Sequence, residues 1–438
     1  MFFQTLFLWF LRNLKELNPK TRWNAPQGYK EVLSLALPLI ASTAASSLML
    51  FTDRIFLSNY SPSAIAASLP AGVAKVAVTS LFIGICSYVG VFVAQYIGAG
   101  KPHRTAATLW QGIYFAIGAG LLLSLLYFAS DFIFSFGTQD PEVLALELSY
   151  FNLLIIFSPF DLGMVVMSAF LSSMGRAKAV MWVSLIGAGF NVPMNYLLIY
   201  GLKLGSLTIF PQWGIFGAAL ATVMSWVLSV IIYSALIFTK KMERDFQVRS
   251  NRKFDWELTF RLLKFGWPGG LQFFMEIFAF AFFSFAVGHL TVLELTCNNI
   301  VFSLEILSFF PMIGVGTSVS ILVGQAIGRG KPLEGARSVK TGTALSTVYV
   351  LMIAIMFISI PRPLLSLFLA SDYEPEFINF IYELGSVILV YVAIYSVSDG
   401  LYLCCFGAIK GAGDVWFPMG AMAVWGIFGL MMPVLLLL

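Results

Sequence analysis

Long apolar runs dominate the chain, broken at intervals by short stretches of glycine, proline and charge. A helix that crosses lipid needs about 20 predominantly apolar residues. Open strands cannot sit in lipid with their backbone groups unpaired. On that rule the pattern predicts spans near 31–58, 64–97, 106–135, 142–171, 179–203 and 214–239. It predicts a second set near 259–287, 292–327, 338–369, 377–407 and 416–438. The breaks carry turn chemistry, in GAGKPHR, GTQDPE, GRGKP and SDYEPE. The opening MFFQTLFLWFLRNLKELNPK is apolar for about half a span and then charged. It has no basic leader and no small-residue cleavage site, so an interfacial helix is expected rather than a signal peptide.

Composition sharpens this picture. Of 438 residues, 59% are hydrophobic and 11% charged, against about 25% charged in a typical soluble domain. Such a chain cannot cover a water-facing surface, which excludes a soluble enzyme and predicts an all-α polytopic membrane protein. The net charge of +4 comes without a single basic patch, so no nucleic-acid partner is expected. Cys86, Cys297, Cys404 and Cys405 lie in apolar segments without metal-ligand spacing, and His103 and His289 are too few for a His-based site.

The positions of Lys and Arg set an orientation. Of the 26, 22 fall within 1–30, 98–106, 174–179, 239–264, 328–340 and 408–416. All of these lie on one side if the spans alternate. The positive-inside rule therefore puts the N-terminus in the cytoplasm of a multi-pass inner (plasma) membrane protein. The opposite loops carry Asp140, Glu142, Asp372, Glu374 and Glu376.

An internal repeat organises the spans. Val93–Ala106 (VAQYIGAGKPHRTA) and Val323–Ala336 (VGQAIGRGKPLEGA) share eight of fourteen residues at an offset of 230. Pro38 meets Pro268 at the same offset, and Met174–Met181 aligns with Ala412–Met419 at 238. The expected organisation is an N-terminal segment 1–30, an N-lobe 31–239, a linker 240–258 and a C-lobe 259–438. Six spans per lobe give both lobes one orientation, related by an axis along the membrane normal with the substrate path between them, as in an alternating-access transporter. Residue 438 corresponds to about Tyr200, so the second lobe is expected to lack its last helix, leaving about 11 spans.

Ionisable residues inside spans are costly, roughly 2.5–3.5 kcal/mol each on insertion scales, and are functional candidates for that reason. Asp53 sits in the outer part of the first span, with Arg54 as a snorkelling neighbour. Glu276 is mid-membrane in the seventh span. Asp399 lies in the tenth, with Tyr395 one turn earlier on the same face. Two carboxylates and a phenol oxygen suit a proton or a hard cation. Glu305 is positioned to join them. Lys75 is expected to neutralise a carboxylate, and Asp161 follows Pro159 in the fourth span. Asn191 and Asn195 form an i,i+4 pair able to line a cavity or bond a neighbouring helix. Phe and Met, 42 and 17 in number, suit lipid contact, core packing and a cavity for apolar cations. No P-loop and no nucleophile elbow occurs, so neither an ATPase nor a hydrolase is expected.

Together these segments resemble the MATE (multidrug and toxic compound extrusion) family, and its NorM-like branch in particular. The likeness is carried by ALPLIASTAASSLMLFTDRIFLSNYSPSAIAAS with Asp53, FVAQYIGAGKP, NVPMNYLLIYG, PGGLQFFME with Glu276, VGQAIGRGKP, and YSVSDG followed by GAIKGAGD. The resemblance implies a monomeric exporter in the lipid bilayer that moves small organic cations against Na⁺ or H⁺ and needs no cofactor. It implies a cation site at Glu276, Tyr395 and Asp399, with Glu276 and Asp399 holding Na⁺ if sodium is the coupling ion. It implies a proton- or ion-responsive site at Asp53 with Asn191 and Asn195. A DinF-like, proton-driven first lobe often has an aspartate where Asn195 stands, and a neutral residue is expected where Glu305 stands. The rival readings are a lipid-linked saccharide flippase, which would use Lys75 in a cationic cavity, and a non-transporting truncated membrane protein.

Overall fold

A computed structural model describes residues 22–135, 140–204, 207–287, 291–369 and 375–437. The interfacial helix expected at the start, His289, Asp372 and Glu374 lie outside the described residues. The long helices are α1 (Tyr29–Tyr60), α2 (Pro62–Gly98), α3 (Pro102–Ser124), α5 (Pro141–Ile156), α6 (Ser158–Ser173), α7 (Ala177–Tyr200) and α8 (Gly214–Ile237). They continue with α10 (Trp256–Val287), α11 (Val292–Gly328), α12 (Pro332–Ser359), α14 (Pro375–Ala412) and α15 (Trp416–Val424), the last reaching span length through a π-helical stretch, Trp425–Met431. Short pieces fill the gaps: α4 (Ser130–Phe134), α9 (Lys240–Phe246), α13 (Pro361–Ser366) and α16 (Met432–Leu437). Proline opens α2, α3, α5 and α12, where the missing N–H is one the helix does not need.

Among the described residues, nine helices are long and apolar enough to cross a membrane, and α5 with α6 adds a tenth if that pair is one span. The expected fourth span is bent by 50° between α5 and α6. Pro159, at the second position of α6, lacks the donor that would carry the helix through. α10 stands where the seventh span was expected, with Pro268 inside it. The fifth span ends earlier than the pattern predicted. α7 stops at Tyr200, Gly201 takes φ 75°, and Leu202–Leu204 pairs antiparallel with Leu207–Phe210.

The sequence repeat is also a repeat of local geometry. α2 and α11 are each 37 residues long. Both end in a left-handed glycine, Gly100 at φ 66° and Gly330 at φ 71°. The Gly100 and Gly330 N–H groups reach the Ile97 and Ile327 carbonyls at 3.2 and 2.9 Å, and those of Lys101 and Lys331 reach Tyr96 and Ala326 at 2.9 and 3.0 Å. These bonds take up carbonyls that a helix end would otherwise leave open. Gly175 and Gly413 make the same turn at the offset of 238, at φ 79° and 93°.

The chain divides into two compact units. One takes the chain up to Ile40 and Phe283–Asp414, and the other takes Ala41–Phe282 and Val415–Leu437. The second has a continuous core that includes Tyr88, Phe92, Leu109, Phe151, Phe170 and Tyr233. In the first, Cys297, Val301, Phe357, Ile381 and Leu389 form the larger cluster, and Ala36 of α1 packs with Val315, Val319, Val323 and Cys404. The same helix crossing is built once in each unit. α10 meets α2 where Gly270 faces Gly84, and α1 meets α11 where Ile40 faces Gly314. Gly84 and Gly314 are 230 residues apart, as are Ile40 and Gly270.

Candidate functional site

α7 carries Asn191 and Asn195 one turn apart, so both amides project from one face, with Pro193 between them. That face meets α1 and α8 inside one compact unit. The Asn195 Nδ2 group donates to Asp53 Oδ1 and to Asn191 Oδ1 at 3.0 Å. Thr222 Oγ1 of α8 donates to Asp53 Oδ2 at 3.2 Å. Asp53 is 4% exposed and both asparagines are 0% exposed. Both carboxylate oxygens thus accept a hydrogen bond in surroundings with almost no water. Tyr150 of α5 is buried within electrostatic reach of Asp53. Asn191 Nδ2 and Asn195 Oδ1 are buried without a partner, one spare donor and one spare acceptor beside the carboxylate. Buried polar groups are normally paired, so the cluster has capacity for one more small polar species. It can hold a proton on Asp53, or a hard cation among the oxygens of Asp53, Asn191, Asn195 and Thr222.

The three residues singled out in the first lobe are therefore brought together. Thr222 and Tyr150 were missed. Thr222, Ser225 and Ser229 share a face of the otherwise apolar α8, which is the signal that would have marked the threonine. Arg54 is exposed, as a snorkelling charge should be.

Lys75 of α2 and Asp161 of α6 form a buried ion pair at 2.5 Å, with side chains 10% and 8% exposed. The Lys75 ammonium also lies 4.7 Å from the centre of the Trp226 ring of α8. The lysine is thereby neutralised in place. It is not an open cationic wall.

In the other unit, Glu305 of α11 hydrogen-bonds Tyr395 of α14, and Asp399, one turn further along α14, is within electrostatic reach of both. Glu305, Tyr395 and Asp399 thus form one cluster. Glu276 is half-buried on the part of α10 that belongs to the unit with Asp53. Among the described residues, no three or more His, Cys, Asp or Glu converge as a metal site, and the four cysteines are free thiols.

The MatE family model matches residues 38–197 and 268–435. A "Probable multidrug resistance protein NorM" from Burkholderia pseudomallei is 29% identical over 401 residues, covering 90% of this chain and 83% of that protein. A solved structure, described as the outward-facing conformation of a multidrug resistance MATE family transporter of the MOP superfamily, superposes with a TM-score of 0.81 at 18% identity. It covers 92% of this chain and 86% of its own. A MOP superfamily transporter from Pyrococcus furiosus, described as having a binding pocket of reverse polarity that suggests a different function, gives 0.78 at 18% identity. The cover there is 94% and 91%.

Proposed function

This chain belongs to the MatE family, and from that premise we propose that it is a secondary active multidrug exporter of the inner membrane. It moves small organic cations outward by alternating access, coupled to H⁺ or Na⁺ running inward, as a monomer with a cytoplasmic N-terminus. The observation that carries this reading is the sealed Asp53–Asn195–Asn191–Thr222 cluster inside apolar helices. A buried carboxylate with all its partners on one unit and spare polar capacity beside it can be loaded or emptied only by a small ion. That makes it a device for coupling. The two lobes, 31–239 and 259–438, are read as the moving parts, on the strength of the repeated α2 and α11 turns.

Asp53, Asn191, Asn195 and Thr222 form the coupling site of the first lobe. Tyr395, Asp399 and Glu305 form an oxygen-rich cluster in the second, where each removed carboxylate changes the charge a cation would meet. Glu276, the third residue expected at the cation site, is half-buried on α10. The multidrug reading is favoured over transport of a lipid-linked saccharide pyrophosphate because Lys75, the candidate cavity cation, is already held by Asp161 and Trp226.

The test is efflux of a cationic dye from vesicles with an imposed proton or Na⁺ gradient. Asp53→Asn keeps the shape of the cluster and removes its charge, so gradient-driven efflux should fall to background while insertion is unchanged. Asp399→Asn and Glu276→Gln should each impair it, and Tyr395→Phe should do so less, since it removes one neutral ligand. Full gradient-driven efflux by Asp53→Asn would rule out the coupling site. Efflux that survives collapse of both gradients would rule out ion coupling altogether.

A further inference from the structure

The linker between α8 and α10 is a folded platform held on α3. Trp110 Nε1 donates to the Val248 carbonyl at 2.6 Å, Gln111 Nε2 to that of Lys253 at 3.1 Å and the Tyr114 hydroxyl to that of Arg252 at 2.5 Å. Thr259 Oγ1 donates to Gln111 Oε1 at 3.0 Å, and Arg104 pairs with Asp255 at 3.0 Å. Within the linker, Glu243 accepts from the Arg249 N–H and the Ser250 hydroxyl, both at 2.5 Å.

Against this platform lies a cleft of about 420 Å³, between Ala107 of α3 and Ser250, Asn251, Lys253, Phe254, Asp255 and Trp256. One wall is polar and the other aromatic. On the polar wall, the Ser250 hydroxyl is committed to Glu243, Asn251 Nδ2 donates to the Gln247 carbonyl, and Asp255 is neutralised by Arg104. Lys253 is exposed and has no ion-pair partner among the described residues. The linker also carries Lys240, Lys241, Arg244, Arg249 and Arg252 against three acidic residues, each of which already has a partner. The cleft is therefore left positive. On the other wall, Tyr114, Phe254 and Trp256 make a run of ring contacts with centroids 6.0 and 5.9 Å apart. Trp256 is the first residue of α10. Trp256, Phe260 and Trp267 share one face of that helix and are 70%, 59% and 51% exposed. In a spanning helix such a face meets lipid, and Trp at its start sits at headgroup level.

We propose that this cleft is a binding site for an anionic phospholipid, with the headgroup phosphate on Lys253 and the glycerol and first acyl carbons on Phe254 and Trp256. Clustered Lys and Arg beside a span attract anionic headgroups. Here the cation and the aromatic anchors are fixed relative to one another by the hydrogen bonds to α3, which turns a diffuse attraction into a site. A linker bound only by its overall charge would not need that framework.

The test is native mass spectrometry of the full protein extracted from bilayers of mixed phosphatidylglycerol and phosphatidylcholine. The wild type should retain phosphatidylglycerol in preference. Lys253→Gln should reduce that preference by about fivefold, the worth of roughly one interfacial charge. Trp256→Ala should weaken retention of both lipids. Lys178→Gln, an exposed charge in the first turn of α7, should behave as wild type. Lys253→Gln and Trp256→Ala both replace exposed side chains, and a thermal melt checks that they fold. The site is overturned if Lys253→Gln retains lipid as wild type does, or if Lys178→Gln loses as much. It is also overturned if soluble glycerol phosphate displaces the lipid from the wild type, since that would make the ligand a free phosphate.

Discussion

The Lys75–Asp161 pair sets a clear energetic problem at the scale of single residues. Taking both charges out of water costs several kcal/mol per ion, and the pair stands only because each neutralises the other. Trp226 adds its ring face to the lysine. Lys75→Met should therefore cost about 3–5 kcal/mol by leaving Asp161 buried and unpaired. The double change Lys75→Met with Asp161→Leu should recover most of it. Thermal stability of the two variants and the double in detergent closes the cycle. A double whose loss equals the sum of the two single losses would show that the charges do not interact. Asp53 differs in kind: its partners are neutral groups, which stabilise a carboxylate without cancelling its charge. That is why the same type of side chain reads as a structural brace on α6 and as a coupling group on α1.

The doubled crossing makes an asymmetric prediction about elements. A Cβ added at Gly84 would lie 2.4 Å from the Gly270 Cα, whereas one added at Gly314 would lie 2.5 Å from the Ile40 side chain and no nearer than 3.1 Å to backbone. Gly84→Ala should therefore cost about 1–3 kcal/mol of overpacking, only partly offset by the helix propensity of alanine. Gly314→Ala should cost less, because the nearest atom there belongs to a side chain rather than to backbone. Melting temperatures of the two variants decide between this and a picture in which both crossings are equally tight. The linker gives a second prediction at this scale. Hydrogen bonds from the Ser250 hydroxyl and the Arg249 N–H hold the Glu243 carboxyl below its ordinary value. A carboxyl depressed in the folded state stabilises at neutral pH and loses that contribution as pH falls through its folded-state pKa, below 4.5. Protection of the Arg249 and Ser250 amides, measured against their intrinsic exchange rates at each pH, should therefore fall below that pH, and Glu243→Gln should remove this dependence.

For the whole molecule, the charge pattern and the spans make one joint statement about topology. Gly98–Thr105, Thr239–Trp256 and Gly328–Lys340 should all be cytoplasmic. Single cysteines placed there in a cysteine-free background should resist an impermeant thiol reagent applied to intact cells, and should react once the membrane is opened. Outside labelling of two of the three segments would reverse the orientation. The test also bears on the duplication, because Gly98–Thr105 and Gly328–Lys340 are the repeated turns and must lie on the same side if the lobes share one orientation.

What the sequence by itself determined was local. Apolar runs fixed where helices form, because each helix closes its own backbone hydrogen bonds and needs only its own side chains to be soluble in lipid. The glycine turns after α2 and α11 were legible because a left-handed residue is a property of one position, and the repeat was legible because those turns keep their sequence. Asp53, Asn191, Asn195, Tyr395 and Asp399 stood out because charge and amide groups are rare in spans. The pairing of these groups was decided only by tertiary structure. Lys75 finds Asp161 across 86 residues, Asn195 finds Asp53 across 142 and Thr222 finds Asp53 across 169. Each pairing depends on how far one helix is rotated against the next and how closely they approach, and the apolar pattern of spans soluble on every side leaves that rotation open. The bend after Ile156 and the pinned linker belong to the same class. A proline permits the first and a chain of charges suggests the second, but packing against α3, through Gly120 on Pro159 and through Trp110, Gln111 and Tyr114, is what holds them.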